Sequence, residues 1–412
     1  MEANFRNSGR GRNSRLFVCI AVCGFFFTPF PAQAQNILPP GEASEVYRVT
    51  EKHNFRKREN GKYVGAAYRE IRGTLSREGG TSGGSLAYAG RFYVLEETKR
   101  EARLASAPVD ASLSASLSLN PQGAVSAGSP GRFPTMRDFP ALPKEALAQG
   151  AGWQASAERM LDPLFSGSVT PVRVYVDYTY TGPGDYKGFS GHYLKARYAV
   201  RYRRGESAAA DPELDEANGR HEANIFLPSE SGGPRLISET FKELYRYRGG
   251  RELSVEGAVL TFFEGSSPLN RTETLNRVTR LVPAPSADIP GIEVQDLDEG
   301  VTLTVNNLRF EADSAQLLPA ENPRLDALAK ALLSVADRNF LVVGHAADTG
   351  RPAGEKQLSV ERARAITQAL EARGVPPGRL LYEGRGSSQP VAPNTSGEGR
   401  ARNRRVEIII LE

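Results

Sequence analysis

Two cysteines in 412 residues, Cys19 and Cys23, are too few for a disulfide framework or a zinc-thiolate site, and both sit in one apolar run. Histidine (4), methionine (3) and tryptophan (1) are also scarce, and His53, His192, His221 and His345 fall at none of the spacings of metal-ligand motifs. Neither sign of charge dominates: 52 Lys and Arg face 48 Asp and Glu, a net of +4. Four of those cations, Arg6, Arg10, Arg12 and Arg15, lie in the first 34 residues beside one acid, Glu2, so the remainder carries only +1. A basic footprint for nucleic acid is lacking. Past residue 34 no run approaches 18 apolar residues, which excludes a membrane-spanning helix there. A nucleophile elbow is missing too, since Gly188-Phe189-Ser190-Gly191-His192 lacks the closing glycine. The glycines of Gly79-Gly80-Thr81-Ser82-Gly83-Gly84 precede no Lys-Ser/Thr pair and read as a turn, not a phosphate loop. These absences point away from an enzyme and call for no cofactor and no metal.

What is present begins with an address. Arg-rich residues 1–15, the apolar run Leu16–Phe27 and Ala32-Gln33-Ala34 have the layout of a secretory signal peptide over residues 1–34. Cleavage there would remove both cysteines. A dozen apolar residues fall short of the roughly 20 needed to span a bilayer, and Val22 stands where a lipid-attachment site at Cys23 would need a small residue.

The 41 Gly and 27 Pro imply many turns, and the body of the chain has a period of two. Val172, Val174, Val176, Tyr178 and Tyr180 alternate with Arg173, Tyr175, Asp177 and Thr179; after Gly182-Pro183-Gly184-Asp185, Leu194, Ala196, Tyr198, Val200 and Tyr202 alternate with Lys195, Arg197 and Arg201. This predicts a hairpin with one dry and one wet face, turning at 182–185. Runs 236–247 and 253–263 flank Arg248-Gly249-Gly250, and runs 63–75 and 86–95 flank the glycine cluster. The expected organisation is a small β-rich subdomain at 35–100, a linker or long loop at 101–135 with room for a strand near Leu113–Leu119, a β-sandwich-like or barrel-like domain at 136–282, a Pro-rich linker at 283–300, and a mixed domain at 301–412.

That last domain reads β-α-β-α-β-β: strands at 301–310, 340–344, 379–386 and 404–411, a helix capped by Asn322-Pro323 with Leu325, Leu328, Leu332 and Val335 on one stripe, and a second helix stopped at Gly374. The fold class is α+β, with helices on one face of a small mixed sheet. Two arginines of this domain are candidate ligand-binding cations. Arg362 lies four residues from both Leu358 and Ile366, on the inward row of its helix, whereas Arg364 faces solvent. Arg404 shares strand parity with Val406, Ile408 and Ile410. The plain alternative for Arg362 is a pair with a structural carboxylate; that for His345 is a structural histidine at a strand end.

Phe310-x-x-Asp313-Ser314-Ala315, Gly344-His345, Gly350, Leu358-Ser359-x-x-Arg362-Ala363, Gly374-Val375, Gly384-x-Gly386, Pro390, Asn394 and Gly399-Arg400-x-x-Asn403-Arg404-Arg405-Val406-Glu407 resemble the OmpA-like peptidoglycan-binding domain. The resemblance implies a periplasmic, non-enzymatic protein associated with the outer membrane, whose partner is peptidoglycan, gripped at the diaminopimelate or related residue of its stem peptide. It places the grip on Asp348, Arg362, Arg404, His345, Thr349, Gly350 and Leu358. The sequence departs from the family at Gly344-His345-Ala346-Ala347-Asp348, where Ala347 takes the place of the family's ligand-binding Asp, and at Glu355, where the family has Asn. The Gly-His-x-Ala-Asp form is similar to that of some spirochaetal envelope proteins. The β-rich body is expected to contact an outer-membrane or other envelope protein. Two other readings stay open: an interaction scaffold that kept the fold and lost the ligand, and an outer-membrane β-barrel with a peptidoglycan-binding tail.

Overall fold

The computed structural model describes residues 34, 44–80, 84–97, 107–127, 132–230, 235–283, 291–306, 308–311, 315–335 and 337–412. The expected signal segment, residues 98–106 and 128–131 of the Ala- and Ser-rich stretch, and Asp313 and Ser314 lie outside them. The body consists of β1 (Val46–Glu59), β2 (Lys62–Gly80), β3 (Leu86–Glu97), β4 (Ala107–Pro108), β5 (Ala111–Leu119), β6 (Val125–Ala127), β7 (Met136–Arg137), β8 (Gly152–Leu161), β9 (Thr170–Tyr186), β10 (Phe189–Arg203), β11 (Leu214–Pro228), β12 (Arg235–Tyr247) and β13 (Glu252–Ser266), followed by a helix the strand pattern did not foreshadow, α1 (Arg271–Thr279). Twelve of these strands make one antiparallel sheet in the order β6-β5-β3-β2-β1-β13-β12-β11-β10-β9-β8-β7. Strands from 46–97 and from 152–266 share it, because β1 pairs along its whole length with β13, Val46 opposite Ser266 through Glu59 opposite Leu253. A bridge from Val125 to Phe139 ties the two outer strands together, so the sheet is nearly closed.

Alternation decides which face is inside. Val172, Val174, Val176, Tyr178 and Tyr180 on β9 and Leu194, Ala196, Tyr198, Val200 and Tyr202 on β10 are all buried in one core, while Arg173, Tyr175, Asp177, Lys195, Arg197 and Arg201 point out. Each large apolar side chain buried there contributes roughly 1.5–3 kcal/mol, and a one-residue slip would expose the whole set. The β9–β10 turn is not at 182–185. Tyr186 pairs with Phe189 around the two-residue loop Lys187-Gly188, both at positive φ (51° and 83°), and Gly182 to Asp185 stay in the strand opposite Tyr193 to Ser190. Two left-handed residues match the strand twist, and a residue pair containing Gly supplies them at low cost.

The C-terminal domain adds β14 (Ile292–Leu297), in the stretch expected to be linker, then β15 (Gly300–Asn306), α2 (Asn322–Leu333), β16 (Phe340–His345), α3 (Pro352–Glu371), β17 (Leu380–Gly386), a short α4 (Gly397–Asn403) and β18 (Arg405–Ile410). Asn322 does not cap α2 with its side chain; it is the first residue of the helix, after a 3₁₀ turn at Pro319–Glu321. Gly374 (φ 91°) ends α3, with Gly374 and Val375 N–H groups donating to the carbonyls of Glu371 and Leu370.

The sheet order is β14-β15-β18-β16-β17-β4, the last strand coming from the body. Both faces of its centre are dry. Phe340, Val342, Leu380, Ile408 and Ile410 face α2 and α3, whereas Leu341, Val343, Leu381 and Ile409 face Tyr93 and Leu95 on the outer side of β3. Helices cover one face, as the strand–helix order requires; the body covers the other. The junction is also polar: Thr74 Oγ1 donates to the Glu412 carbonyl (2.8 Å), Arg72 to the Gly378 carbonyl (2.7 Å), and Glu299 pairs with Arg91 of the body and Arg385 of β17.

Candidate functional site

The site begins where α3 crosses β16 and β17. A Cβ on Gly344 would come within 2.1 Å of the Ser359 carbonyl oxygen, and one on Gly384 within 2.2 Å of Ser359 Oγ, so only glycine permits this approach. Ser359 Oγ accepts from the Gly386 N–H (2.9 Å) and donates to the Lys356 carbonyl (2.7 Å), fixing the helix on the strand ends. Three residues on, Arg362 is half-buried, its guanidinium 4.9 Å from the Phe310 ring centre, a cation–π contact. Arg364 is exposed, as its position on the helix requires.

Arg362 opens into a cleft of about 340 Å³ that His345, Arg309, Arg404, Arg405, Phe310 and Glu311 also line. Arg404 is exposed at its rim and precedes β18 rather than lying in it. Arg405, which sequence reasoning did not single out, is the buried one: its Nε donates to Glu407 Oε1 (2.7 Å) and an Nη to the Gln389 carbonyl (3.2 Å). His345 is buried with Nε2 3.3 Å from Glu407 Oε2. Burial lowers the His345 pKa, Arg405 adds to that, and the opposing pull of Glu407 does not make up the difference. Burial alone would raise Glu407, but His345 and Arg405 hold it down at about 2. The cleft therefore presents fixed cations beside a neutral imidazole, suited to a carboxylate.

The other expected residues form a neighbouring loop. Among the described residues lining the cleft, Asp348, Thr349, Gly350 and Leu358 are not found. The Asp348 carboxylate is exposed and accepts from the Gly350 N–H (2.9 Å), an Asx turn that lets Gly350 sit at φ 78°. Ala347, at the family's Asp position, is buried. Thr349 donates through both its N–H (2.6 Å) and its hydroxyl (2.8 Å) to Glu355 Oε1, which also accepts from the Arg351 N–H (3.1 Å). Ser387 donates to the second oxygen, and these bonds, that from Ser387 foremost, bring the Glu355 pKa down to about 2. Leu358 is half-buried on α3. Asn403 ties the far wall: its Oδ1 accepts from the Val391 and Ala392 N–H groups and its Nδ2 donates to Asn394 Oδ1 (2.9 Å), which in turn accepts from the Asp348 N–H (3.2 Å). The signals for Glu355, Arg405 and Asn403 were in the motif itself, but their roles are set by which loop each side chain reaches.

Among the described residues no group of three or more His, Cys, Asp or Glu could hold a metal ion, and no helix is long and apolar enough to cross a membrane. The model of the OmpA family matches residues 309–404. The chain is 35% identical over 128 residues to the peptidoglycan-binding protein ArfA of Mycobacterium tuberculosis, covering 31% of this chain and 39% of that protein. It is 36% identical over 102 residues to outer membrane protein A of Bordetella avium, 25% of this chain and 53% of that one. It is 34% identical over 121 residues to the probable lipoprotein YiaD of Escherichia coli, 29% and 55%. The chain thus spans from about two fifths to just over half the length of these relatives. With β16, α3, β17 and Asn403-Arg404 inside the matched segment, residues 309–404 are a domain of the OmpA family.

Proposed function

We propose that this is a non-enzymatic cell-envelope protein, periplasmic and associated with the outer membrane, whose C-terminal domain anchors to peptidoglycan while the β-rich body makes structural or partner contacts. The observation that carries this reading is the convergence of Arg362, Arg404, Arg405 and His345 in one cleft of a domain related to a protein named for binding peptidoglycan. Arg362 supplies the cation for a stem-peptide carboxylate, and the Asp348–Gly350 loop, braced by Glu355, forms the adjoining wall. Retention of the full chain on purified sacculi tests it: Arg362→Ala is expected to abolish most of the retention, and retention unchanged by that variant would overturn it.

A second reading has its own support. With Ala347 buried and the Asp348 carboxylate committed to Gly350, the ammonium of a diamino acid has a weaker partner, which favours a scaffold that kept the fold and lost the ligand. Titration with a diaminopimelate peptide separates the two, since an Ala347→Asp variant that binds while the native chain does not selects the scaffold. The membrane-barrel reading is disfavoured by the body, whose outward face on β9 and β10 carries Arg173, Asp177, Lys195, Arg197 and Arg201 while its apolar side chains fill the inside; Arg or Lys at a bilayer midplane costs about 2–4 kcal/mol each.

A further inference from the structure

The outward face of β9, β10 and β11 has a feature that anchoring to a cell wall does not use. The β9–β10 ladder stops at the Val176–Tyr198 pair, although β9 stays paired with β8 back to Thr170 and β10 with β11 on to Arg203. Over this parting lies an open cleft of about 880 Å³, with Ala199 as its floor and Arg173, Arg201, Arg220 and Tyr175 among its walls. Ala199 lies directly opposite Arg220 across the strands, so a small side chain leaves room beside a long cation. Tyr175 is 61% exposed, its ring standing free in the opening.

The charges in this cleft are divided unevenly. At one end Arg197 is compensated, paired with Glu222 at 3.2 Å and opposite Asp177 across β9. At the other end Arg173, Arg201 and Arg220 form no ion pair among the described residues; Glu158, opposite Arg173, is taken by Arg137. Like charges gathered on one sheet face destabilise it. Three guanidinium forks around an alanine floor supply more N–H donors than one carboxylate can accept, and match the three or four oxygens and double charge of a phosphate. Asp177 and Glu222 close the positive region at one end, and Lys242, which lines the cleft opposite Arg220, is paired with Glu256 at 3.7 Å, so three arginines suit one phosphate rather than a polyanion backbone, and a recessed seam admits a slender ligand rather than a flat bilayer.

We infer that the parting of β9 and β10 is a binding site for a soluble phosphate-bearing ligand, held by Arg173, Arg201 and Arg220. It is separate from the C-terminal cleft, and its fate does not depend on peptidoglycan binding. The test is calorimetric titration of the full chain with pyrophosphate. Three chains are compared: wild type, the triple variant Arg173→Gln/Arg201→Gln/Arg220→Gln, and a control with the same loss of charge, Arg56→Gln/Arg58→Gln/Lys62→Gln, at the exposed β1–β2 hairpin. Wild type and control are expected to bind saturably and the seam variant at least tenfold more weakly. Without ligand the seam variant should melt no lower than wild type, because it relieves repulsion, and pyrophosphate should raise the melting temperature of wild type and control alone. Arg201→Lys, which keeps the charge and removes the fork, should weaken binding without affecting folding. Absence of saturable binding to wild type, an equal loss in the control, or binding to anionic vesicles but not to pyrophosphate would each overturn the inference.

Discussion

Two histidines are buried against glutamates, one in the body and one in the C-terminal domain, and their surroundings push them in opposite directions. His221 of β11 is stacked between Tyr198 and Phe241, its Nδ1 2.5 Å from Glu239 Oε1 and its Nε2 3.2 Å from Glu243 Oε1, with Arg159 reaching both carboxylates at 3.8 and 3.6 Å. Tyr198 and Tyr245 donate to the same two carboxylates. Burial works to lower the His221 pKa, yet two glutamates against one arginine raise it. His345 has one glutamate and two arginines, Arg405 and Arg385, and burial wins. Similar burial thus leaves one histidine raised inside the body's sheet and the other lowered beside the cleft; the local sum of charge decides which. In the body Arg159 and His221 share two carboxylates, Glu239 and Glu243. At the cleft a neutral ring leaves the positive field to the arginines.

The comparison can be broken most directly at Arg159. Arg159→Met should strand two buried carboxylates with His221 alone and cost about 3–5 kcal/mol in denaturant unfolding; a loss below about 1 kcal/mol would mean that the charges in the body do not act as one group. Next comes the junction. Leu95→Ala, a change in the body, should cost roughly 2–5 kcal/mol and speed amide exchange at Leu341 and Val343 in the C-terminal sheet, whereas unchanged exchange there would show that the two regions unfold separately. Arg362→Ala should weaken retention on sacculi roughly ten- to a hundredfold, the worth of a charge-assisted hydrogen bond of about 1.5–3 kcal/mol, with little change in melting temperature.

The smallest effect is one of pH, with opposite signs at the two histidines. A histidine raised above 6.5 contributes stability that is complete below that pH and fades as pH climbs through the raised value. One lowered below 6.5 contributes fully above that pH and loses its contribution as pH falls, because the unfolded chain then binds the extra proton. Unfolding measured from pH 5 to 9 should therefore show His221→Gln flattening the alkaline limb and His345→Gln the acid limb. Both variants acting on the same limb would refute the contrast.

The alternation on β9 and β10, the apolar stripe of α2 and the glycine that ends α3 were legible because each is a local period or a local backbone demand. So was the membership of the C-terminal domain, carried by a motif whose glycines and Ser359 set the helix on the strands. The turn at Lys187-Gly188 was missed because Gly182-Pro183-Gly184-Asp185 has stronger turn chemistry, yet the β10 pairing kept it in the strand. Strand β14 was missed because its proline-rich approach resembles a linker, and its pairing with β15 lies outside its own sequence.

By itself the sequence determined the β-rich character and two-residue rhythm of the body, the helices of the C-terminal domain and the presence of Arg362 on an inward helical row. Only the tertiary structure decided that the body is one nearly closed sheet, that its β3 covers the second dry face of the C-terminal sheet, and that Arg362 opens with Arg405 and His345 while Asp348 turns to Gly350. The physical reason is range: period, capping and glycine tolerance act within a few residues, whereas pairing partners, buried charge sums and the direction of a loop carboxylate depend on chain segments tens to hundreds of residues away.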